Sequence, residues 1–149
     1  MTLYCRINLK KTNYLQISDH KILWARNYKV GPDTDKLLQI YKQYCDYKQF
    51  ESPLHYYKEQ FTHENFEVLG YYDNKKLVAW SLIYIINKEI AEAYQFAWDY
   101  KNPELRLGIA SLTNECALYK NRGFKYLMLN EVNSYKEVID GFELLPPLG

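Results

Sequence analysis

The chain has 149 residues, 48% of them hydrophobic and 25% charged, a composition typical of one globular domain and not of a disordered chain. Its formal net charge of +1 argues against the strong positive field of a dedicated nucleic-acid-binding domain. The three cysteines are widely spaced without a CxxC pair, which argues against a disulfide framework or a zinc site and favours reduced thiols in the cytoplasm.

The N-terminal part of the chain predicts strands followed by helices. Apolar and polar side chains alternate over the first thirty residues, which indicates one or two strands with a turn at Ser18–His20. A break at Gly31-Pro32 precedes Asp33, which can cap a helix. Apolar and aromatic residues then recur at helical spacing: Leu37, Leu38, Tyr41, Tyr44 and Cys45. Ser52 followed by Pro53 marks the start of a second helix.

A meander of three strands is predicted next. The runs Phe66–Tyr72, Leu77–Ile86 and Ile90–Tyr100 are rich in β-branched and aromatic residues and are separated by polar turns. Leu77–Ile86 is too short to span a membrane, and the N-terminus lacks the apolar run of a signal peptide. We therefore expect a cytoplasmic protein with no membrane partner.

The last third of the chain predicts a helix between two strands. The helix runs from about Leu107 to Arg122, with Gly123 where a C-cap glycine belongs, and a short strand follows at Tyr126–Leu129. A short helix is expected near Ser134–Val138. The order of elements predicts a single α/β (α+β) domain over residues 1–149 with a mixed central sheet.

The loop between the third meander strand and this helix resembles the acyl-CoA loop of the GNAT acyltransferase fold. The similar residues are Pro103-Glu104 and Gly108-Ile109-Ala110. The resemblance implies helices on both faces of the sheet and acetyl-CoA or another acyl-CoA as co-substrate, with no metal. Relative to the usual GNAT fold, we expect a shortened C-terminal part. The cofactor-binding residues that it implies are Phe96, Ala97, Trp98, Arg106, Leu107, Gly108, Ile109, Ala110 and Ser111.

This loop departs from the GNAT pattern at one point. It is one residue shorter between Arg106 and Gly108, and Leu105 stands at the usual basic position. The backbone N–H groups at the start of a helix form an anion site by themselves. We therefore expect the N–H groups of Gly108, Ile109 and Ala110, more than the Arg106 side chain, to hold the phosphates.

A narrower resemblance is to the GNAT-like catalytic domain of arginyl- and leucyl-tRNA–protein transferases. It rests on Ile40 to Tyr44, Trp98 to Tyr100, Leu105 to Glu115 and Phe142 to Pro146, and so spans about Leu37 to Pro146. It implies an aminoacyl-tRNA as donor. Contacts to phosphates normally dominate tRNA binding, and the low net charge therefore ranks this donor below an acyl-CoA.

Transfer of an acyl group to a primary amine calls for a general base, because an amine with a pKa of about 10.4 is almost entirely protonated at pH 7. The candidates are Asp99 at the end of the third meander strand, Glu131 after the next strand, and Glu92. The GNAT resemblance implies that Tyr135 reprotonates the leaving group. Asp99 has the alternative role of capping a turn, and Glu115 is expected to face solvent.

Three functions remain open at this point. The first is an N-acyltransferase that acts on an amine of a protein or small molecule. The second is a GNAT-like scaffold that has lost catalysis and binds a partner protein, or a second copy of itself, through an open sheet edge. The third is an aminoacyl-tRNA–protein transferase.

Overall fold

The computed structural model describes residues 4–17, 22–26, 33–49, 59–99, 106–131 and 136–145. The strands are β1 (Tyr4–Asn8), β2 (Ile22–Arg26), β3 (Phe66–Asp73), β4 (Lys76–Ile85), β5 (Ile90–Trp98), β6 (Tyr126–Glu131) and β7 (Phe142–Leu144). The helices are α1 (Asp33–Lys48) and α2 (Leu107–Asn121), with short 3-10 turns at Leu9–Lys11, Gln60–Thr62 and Lys136–Val138. The predicted α+β fold is confirmed. The predicted Ser18–His20 turn and the helix expected after Pro53 lie outside the described residues.

The strands form one mixed sheet in the order β2-β3-β4-β5-β6-β1-β7. β5 and β6 run parallel, and the other neighbours run antiparallel. The N-terminal strand β1 lies between β6 and β7 and pairs with both of them. The outer strands of the described sheet are β2 and β7.

A helix packs on each face of the sheet, as the alternation of side chains along the meander requires. On one face, α1 covers Val68, Trp80 and Leu82, and the Trp80 indole N–H donates to the Leu37 carbonyl at 2.8 Å. On the other face, α2 packs against the core side chains of β1, β3, β4 and β6. No helix within the described ranges is long and apolar enough to cross a membrane.

The turn between β3 and β4 contains a strained lysine. Asp73 pairs with Lys76, which leaves a two-residue loop with φ of +51° at Asn74 and +70° at Lys75. Two positive φ angles in a two-residue hairpin loop define a type I′ turn, which favours glycine at its second position. A side chain there costs about 1–2 kcal/mol because its Cβ crowds the backbone. The polar turn predicted between these strands is confirmed, and Lys75 is its unexpected feature.

The end of α2 is tied to the sheet by its cap and by a buried ion pair. The Gly123 N–H donates to Lys120 O and the Phe124 N–H to Tyr119 O, both at 3.0 Å, which is a Schellman motif. The predicted C-cap glycine is therefore confirmed. Glu67 on β3 is fully buried and accepts hydrogen bonds from both terminal nitrogens of Arg122, at 2.7 and 3.0 Å, and from the Tyr119 hydroxyl at 2.8 Å.

Two glycines with positive φ should differ in their tolerance of a side chain. Gly123, with φ +92°, has open space where a Cβ would stand, so Gly123→Ala should cost about 1 kcal/mol from backbone strain alone. Gly141, with φ +78°, would place its Cβ well inside contact distance of the Asn8 carbonyl oxygen. Gly141→Ala should therefore cost about 2–4 kcal/mol, because overpacking adds to the strain. Urea denaturation of the two variants measures both values, and equal losses would contradict the close approach of residue 141 to β1.

Candidate functional site

The site begins where β5 separates from β6. β5 pairs with β4 from Ala91 to Trp98, whereas its register with β6 ends at Glu92↔Met128. The register with β4 shifts at the same place, because Leu82 pairs with Gln95 and Ile83 pairs with Ala93. Tyr94 is thus the extra residue of a β-bulge, and a bulge bends its strand and increases the local twist. Beyond the bulge, β5 and β6 are no longer paired, and this unpaired stretch between the two parallel strands is here called the opening.

The backbone of β5 presents alternate residues to this opening. The Asp99 N–H donates to Val78 O at 2.6 Å, so by antiparallel alternation Ala97 and Asp99 direct their backbone groups toward β4. Phe96 and Trp98 direct theirs toward the β6 side. The Gln95 side chain donates to the Phe96 carbonyl at 2.8 Å on that side. Of the three strand residues predicted to bind the donor, Phe96 and Trp98 thus line the opening, and Ala97 belongs to the ladder with β4.

The start of α2 provides backbone N–H groups at the same end of the sheet as the carboxyl end of β5, although residues 100–105 between them lie outside the described part of the chain. Arg106 caps the helix with left-handed backbone angles (φ +48°, ψ +50°), and its side chain makes no capping hydrogen bond. The Ala110 N–H donates to Arg106 O at 2.9 Å, which is the first helical hydrogen bond. The N–H groups that precede this bond belong to Leu107, Gly108 and Ile109. The Ala110 N–H is therefore engaged within the helix and does not belong to the expected anion site. The N–H groups of that site are those of Leu107, Gly108 and Ile109.

The side chains in this first turn differ in their surroundings. Leu107 is buried in the core, and Ser111 is buried with its hydroxyl donating to Gly108 O at 3.1 Å. Ile109 is exposed, as is Arg106. The backbone of this turn, more than its side chains, is therefore suited to an anionic ligand.

The three predicted catalytic residues have different outcomes. Asp99 lies directly beyond β5, is buried, and places Oδ2 3.8 Å from Lys76 Nζ. Glu131 is the last residue of β6, where its backbone pairs with Tyr4, and its side chain lies outside the described part. Tyr135 also lies outside it. Of these three residues, Asp99 is the one whose side chain lies within the described part of the chain.

Asp99 forms part of the wall of a cavity of about 400 Å³ between α1 and the β3–β4 turn. α1 contributes Lys36, Gln39, Ile40 and Gln43, and the hairpin contributes Tyr72, Lys75, Lys76 and Leu77. The cavity lies at the end of the sheet where β5 finishes. Sequence reasoning treated Lys75-Lys76 as part of a polar turn only.

An aromatic cluster of Trp98, Tyr44 and Tyr47 lies at the same end of β5. The Trp98 ring packs edge-on against Tyr44, with centroids 5.1 Å apart, and at 5.4 Å from Tyr47. Lys48 Nζ lies 5.8 Å from the Trp98 ring centroid. These contacts hold α1 against the end of β5 and fix the position of Trp98 beside the opening.

A buried polar network links α2 to the centre of the sheet, and the sequence did not predict it. Glu115 was expected to face solvent but is buried. Its Oε2 accepts hydrogen bonds from the Ser81 hydroxyl at 2.6 Å and the Tyr71 hydroxyl at 2.7 Å. Asn114 donates to the Tyr71 oxygen at 3.2 Å and accepts from the Ile17 N–H at 2.8 Å. The available signal was Ser81, a polar residue within the apolar run of β4.

Burial governs the ionisation of this network. It raises the pKa of Glu115 to about 7, although the hydrogen bonds from Ser81 and Tyr71 favour the charged form. Burial is also the main cause that raises the pKa of Cys116 to about 12. Cys116 is therefore an inert core residue and not a nucleophile. The three cysteines are buried and form no disulfide. Among the described side chains, no three of the types His, Cys, Asp and Glu converge as metal ligands.

Comparison with known families identifies one match. The family described as "Arginine-tRNA-protein transferase, C terminus" matches residues 36–133, which is about two thirds of the chain and includes α1, the meander, α2 and β6. Comparison with curated protein sequences finds no match.

Solved structures with a similar fold include proteins of several kinds. One is the C-terminal domain of a protein from Agrobacterium fabrum named as a lysylphosphatidylglycerol synthetase (TM-score 0.65, 10% identity, 88% of this chain and 47% of that one). Another is a GCN5-related N-acetyltransferase from Kribbella flavida (TM-score 0.59, 12% identity, 99% of this chain and 58% of that one). A third is an aminoglycoside acetyltransferase from an uncultured soil metagenomic sample (TM-score 0.52, 17% identity, 80% of this chain and 81% of that one). The chain spans about half the length of the first two. At these identities the likeness shows a GNAT-like fold.

The raised pKa of Glu115 predicts a specific dependence of stability on pH. A carboxyl whose pKa rises from 4.5 to about 7 on folding stabilises the fold fully below pH 4.5, and this contribution is lost as the pH rises through 7. The loss amounts to about 3 kcal/mol. Glu115→Gln keeps an acceptor for Ser81 and Tyr71 without a charge, so its free energy of unfolding should not show this decline. Denaturant titrations from pH 5 to 8 measure the difference.

The control for this experiment is Glu89→Gln, because Glu89 is exposed and pairs with Lys125 on the surface. Its stability should follow the wild-type pH profile. Parallel profiles for wild type and Glu115→Gln would contradict the assignment of a buried, titrating carboxyl at residue 115.

Proposed function

The chain belongs to the family of the arginine-tRNA-protein transferase C-terminal region, and on that basis we propose that it transfers an aminoacyl group from a charged tRNA to a primary amine. The fold and the family are those of transferases. The sequence ranked an acyl-CoA above an aminoacyl-tRNA as donor because of the low net charge. The family match over residues 36–133 supports an aminoacyl-tRNA instead, because it includes β5, β6 and the start of α2.

The observation that carries the proposal is the opening between β5 and β6 beyond the bulge at Tyr94. The carbonyl carbon of an aminoacyl ester placed there would lie against the backbone of Phe96 and Trp98. Backbone N–H groups aimed at a developing oxyanion stabilise the tetrahedral intermediate, and removal of one such donor typically slows an enzyme by about 100- to 1,000-fold. A rigid strand edge also holds the ester in position for attack.

Asp99 is the general base in this proposal. Its carboxylate follows Trp98 directly, so it lies at the end of the strand that would hold the ester. Aminolysis of the ester forms an amide bond between the amine nitrogen and the acyl carbon. The bond from the acyl carbon to the ribose oxygen breaks, the proton lost by the amine passes to Asp99, and the ribose oxygen leaves as a hydroxyl. Tyr135 stays a prediction for proton transfer to that leaving oxygen, and Glu131 stays a predicted alternative general base.

An acyl-CoA remains a second candidate donor, and one observation favours it. The opening in the sheet and the start of α2 lie at one end of the sheet, and in the GNAT fold such elements receive a pantetheine arm and a pyrophosphate. The Leu107, Gly108 and Ile109 N–H groups would then meet the pyrophosphate.

A transfer assay distinguishes the two donors. The protein is incubated with radiolabelled arginyl-, leucyl- and lysyl-tRNA, or with radiolabelled acetyl-CoA, and with a mixture of amine-bearing peptides. We expect label in acid-stable, alkali-resistant peptide from one of the charged tRNAs. Label from acetyl-CoA alone would replace the proposed donor, and no label from either donor would favour the non-catalytic scaffold.

The role of Asp99 predicts a loss of turnover without a loss of structure. Asp99→Asn keeps the size of the side chain but removes the base, so we expect transfer to slow by about 100- to 10,000-fold. Asp46→Asn, on the exposed side of α1, serves as the matched control and should transfer at the wild-type rate. Single-turnover rates measured with the same acceptor provide the comparison. A wild-type rate for Asp99→Asn would remove Asp99 from the mechanism.

A further inference from the structure

The cavity between α1 and the β3–β4 turn has a charge that none of the chemistry above requires. Three lysines, Lys36, Lys75 and Lys76, and one carboxylate, that of Asp99, line it. Lys76 Nζ lies 3.8 Å from Asp99 Oδ2, so these two charges largely offset each other. Within the described part of the chain, no carboxylate lies within ion-pair distance of Lys36 or Lys75. The cavity therefore carries an excess of about two positive charges.

The backbone at Lys75 gives a second reason to regard this cavity as a site. Glycine would form the same type I′ turn without strain, so the turn itself does not need a lysine at this position. A non-glycine residue held in the left-handed region is more common at functional sites than elsewhere. The turn between β4 and β5 also contains a lysine, Lys88, but no positive φ occurs there. Of these two turn lysines, the one that lines the cavity has the strained backbone.

The neighbouring side chains suit a phosphate attached to a nucleoside. Gln39 and Gln43 supply amide donors from α1, and Ile40, Leu77 and Tyr72 supply apolar surface. A volume of about 400 Å³ exceeds that of a bare phosphate and lies in the range of small-molecule sites. Ammonium groups and neutral amides together are the usual protein partners of phosphate oxygens.

The position of the cavity distinguishes between the two donors. It has Asp99 in its wall, so a phosphate held by Lys36 and Lys75 lies close to the proposed general base. In an aminoacyl-tRNA, the reacting ester and the phosphate of the terminal nucleotide belong to the same nucleotide. In an acyl-CoA, the whole pantetheine arm separates the thioester from the nearest phosphate. A phosphate subsite beside the base therefore fits a tRNA end.

We propose that this cavity is the subsite for the terminal nucleotide of the donor tRNA, with Lys36 and Lys75 binding its phosphate. The inference rests on the proposed function for the identity of the donor, and on the cavity itself for the phosphate. It also accounts for tRNA binding by a chain of net charge +1, because the cations are concentrated where the reacting end of the tRNA lies.

Lys75→Gly tests the subsite because binding and stability should change in opposite directions. The variant should withstand more urea than the wild type, because glycine relieves the strain of the turn. Its affinity for tRNA, measured by filter binding, should fall about three- to tenfold at fixed salt, and the slope of log K against log salt should decrease by about 0.7. Lys88→Gly, in the hairpin turn at the opposite end of the sheet, is the matched control and should keep the wild-type affinity and slope.

A tRNA that lacks its 3′-terminal nucleotide tests whether Lys75 contacts that nucleotide. The truncation should weaken binding to wild type and to Lys88→Gly, but it should have much less effect on Lys75→Gly, because that variant has already lost the contact. An equal effect of truncation on all three proteins would overturn the proposal, as would wild-type affinity of Lys75→Gly for intact tRNA.

Coenzyme A and the transfer assay separate this inference from the proposed function. Loss of coenzyme A binding in Lys75→Gly, with tRNA binding unchanged, would overturn the assignment to tRNA. Wild-type protein that binds tRNA through Lys75 but transfers no aminoacyl group would uphold the subsite and overturn the proposed reaction. Wild-type protein that fails to bind tRNA even at low salt would overturn both.

Discussion

The extra residue that Tyr94 introduces into β5 is the constraint on which the candidate site depends. Two parallel strands with an unbroken ladder would have no space between them, and the polar backbone of Phe96 and Trp98 would be occupied by β6. The bulge ends the register at Glu92↔Met128, so β5 continues with β4 on one side and an opening on the other. Because the strand remains anchored to β4 as far as Asp99, the opening has one rigid wall. The bulge therefore creates the space and keeps one of its walls fixed.

The helix that follows the opening is held against the sheet by buried polar groups as well as by its apolar face. Glu115 connects the middle of α2 to Tyr71 and Ser81, and Glu67 connects its end to β3 through Arg122 and Tyr119. Unpaired polar groups in such positions would be costly, so these networks specify one position of α2 on the sheet. The start of α2, with its backbone N–H groups, is thereby fixed relative to the end of β5. The lysines of the cavity do not come from α2. They come from α1, which packs on the opposite face of the sheet, and from the β3–β4 turn.

The sequence predicted much of the fold because the signals for it are local. Alternation and turn residues identified the meander, and Gly123 identified the end of α2, since each pattern depends on neighbours within a few residues. The resemblance to tRNA–protein transferases also rested on short motifs, and the family match confirms it. Asp99 was identified as a candidate because it follows a strand. Its place in a cavity with Lys36 and Lys75 could not be predicted, because these residues are far apart in the chain and meet only when α1 packs on the sheet.

By itself, the sequence determined the α+β class, the order of the meander, α2 and β6, and the segment from β5 to α2 that carries the candidate site. Tertiary structure alone decided that β1 covers the edge of β6, because the pairing of distant strands follows no local pattern. It also decided that Glu115 is buried. Helical periodicity places Glu115 next to Ser111 on the surface of α2, but whether that surface meets solvent or Tyr71 and Ser81 depends on how the helix is rotated against the sheet. That rotation is set by packing over the whole core, and packing also fixes which polar residues become part of the interior.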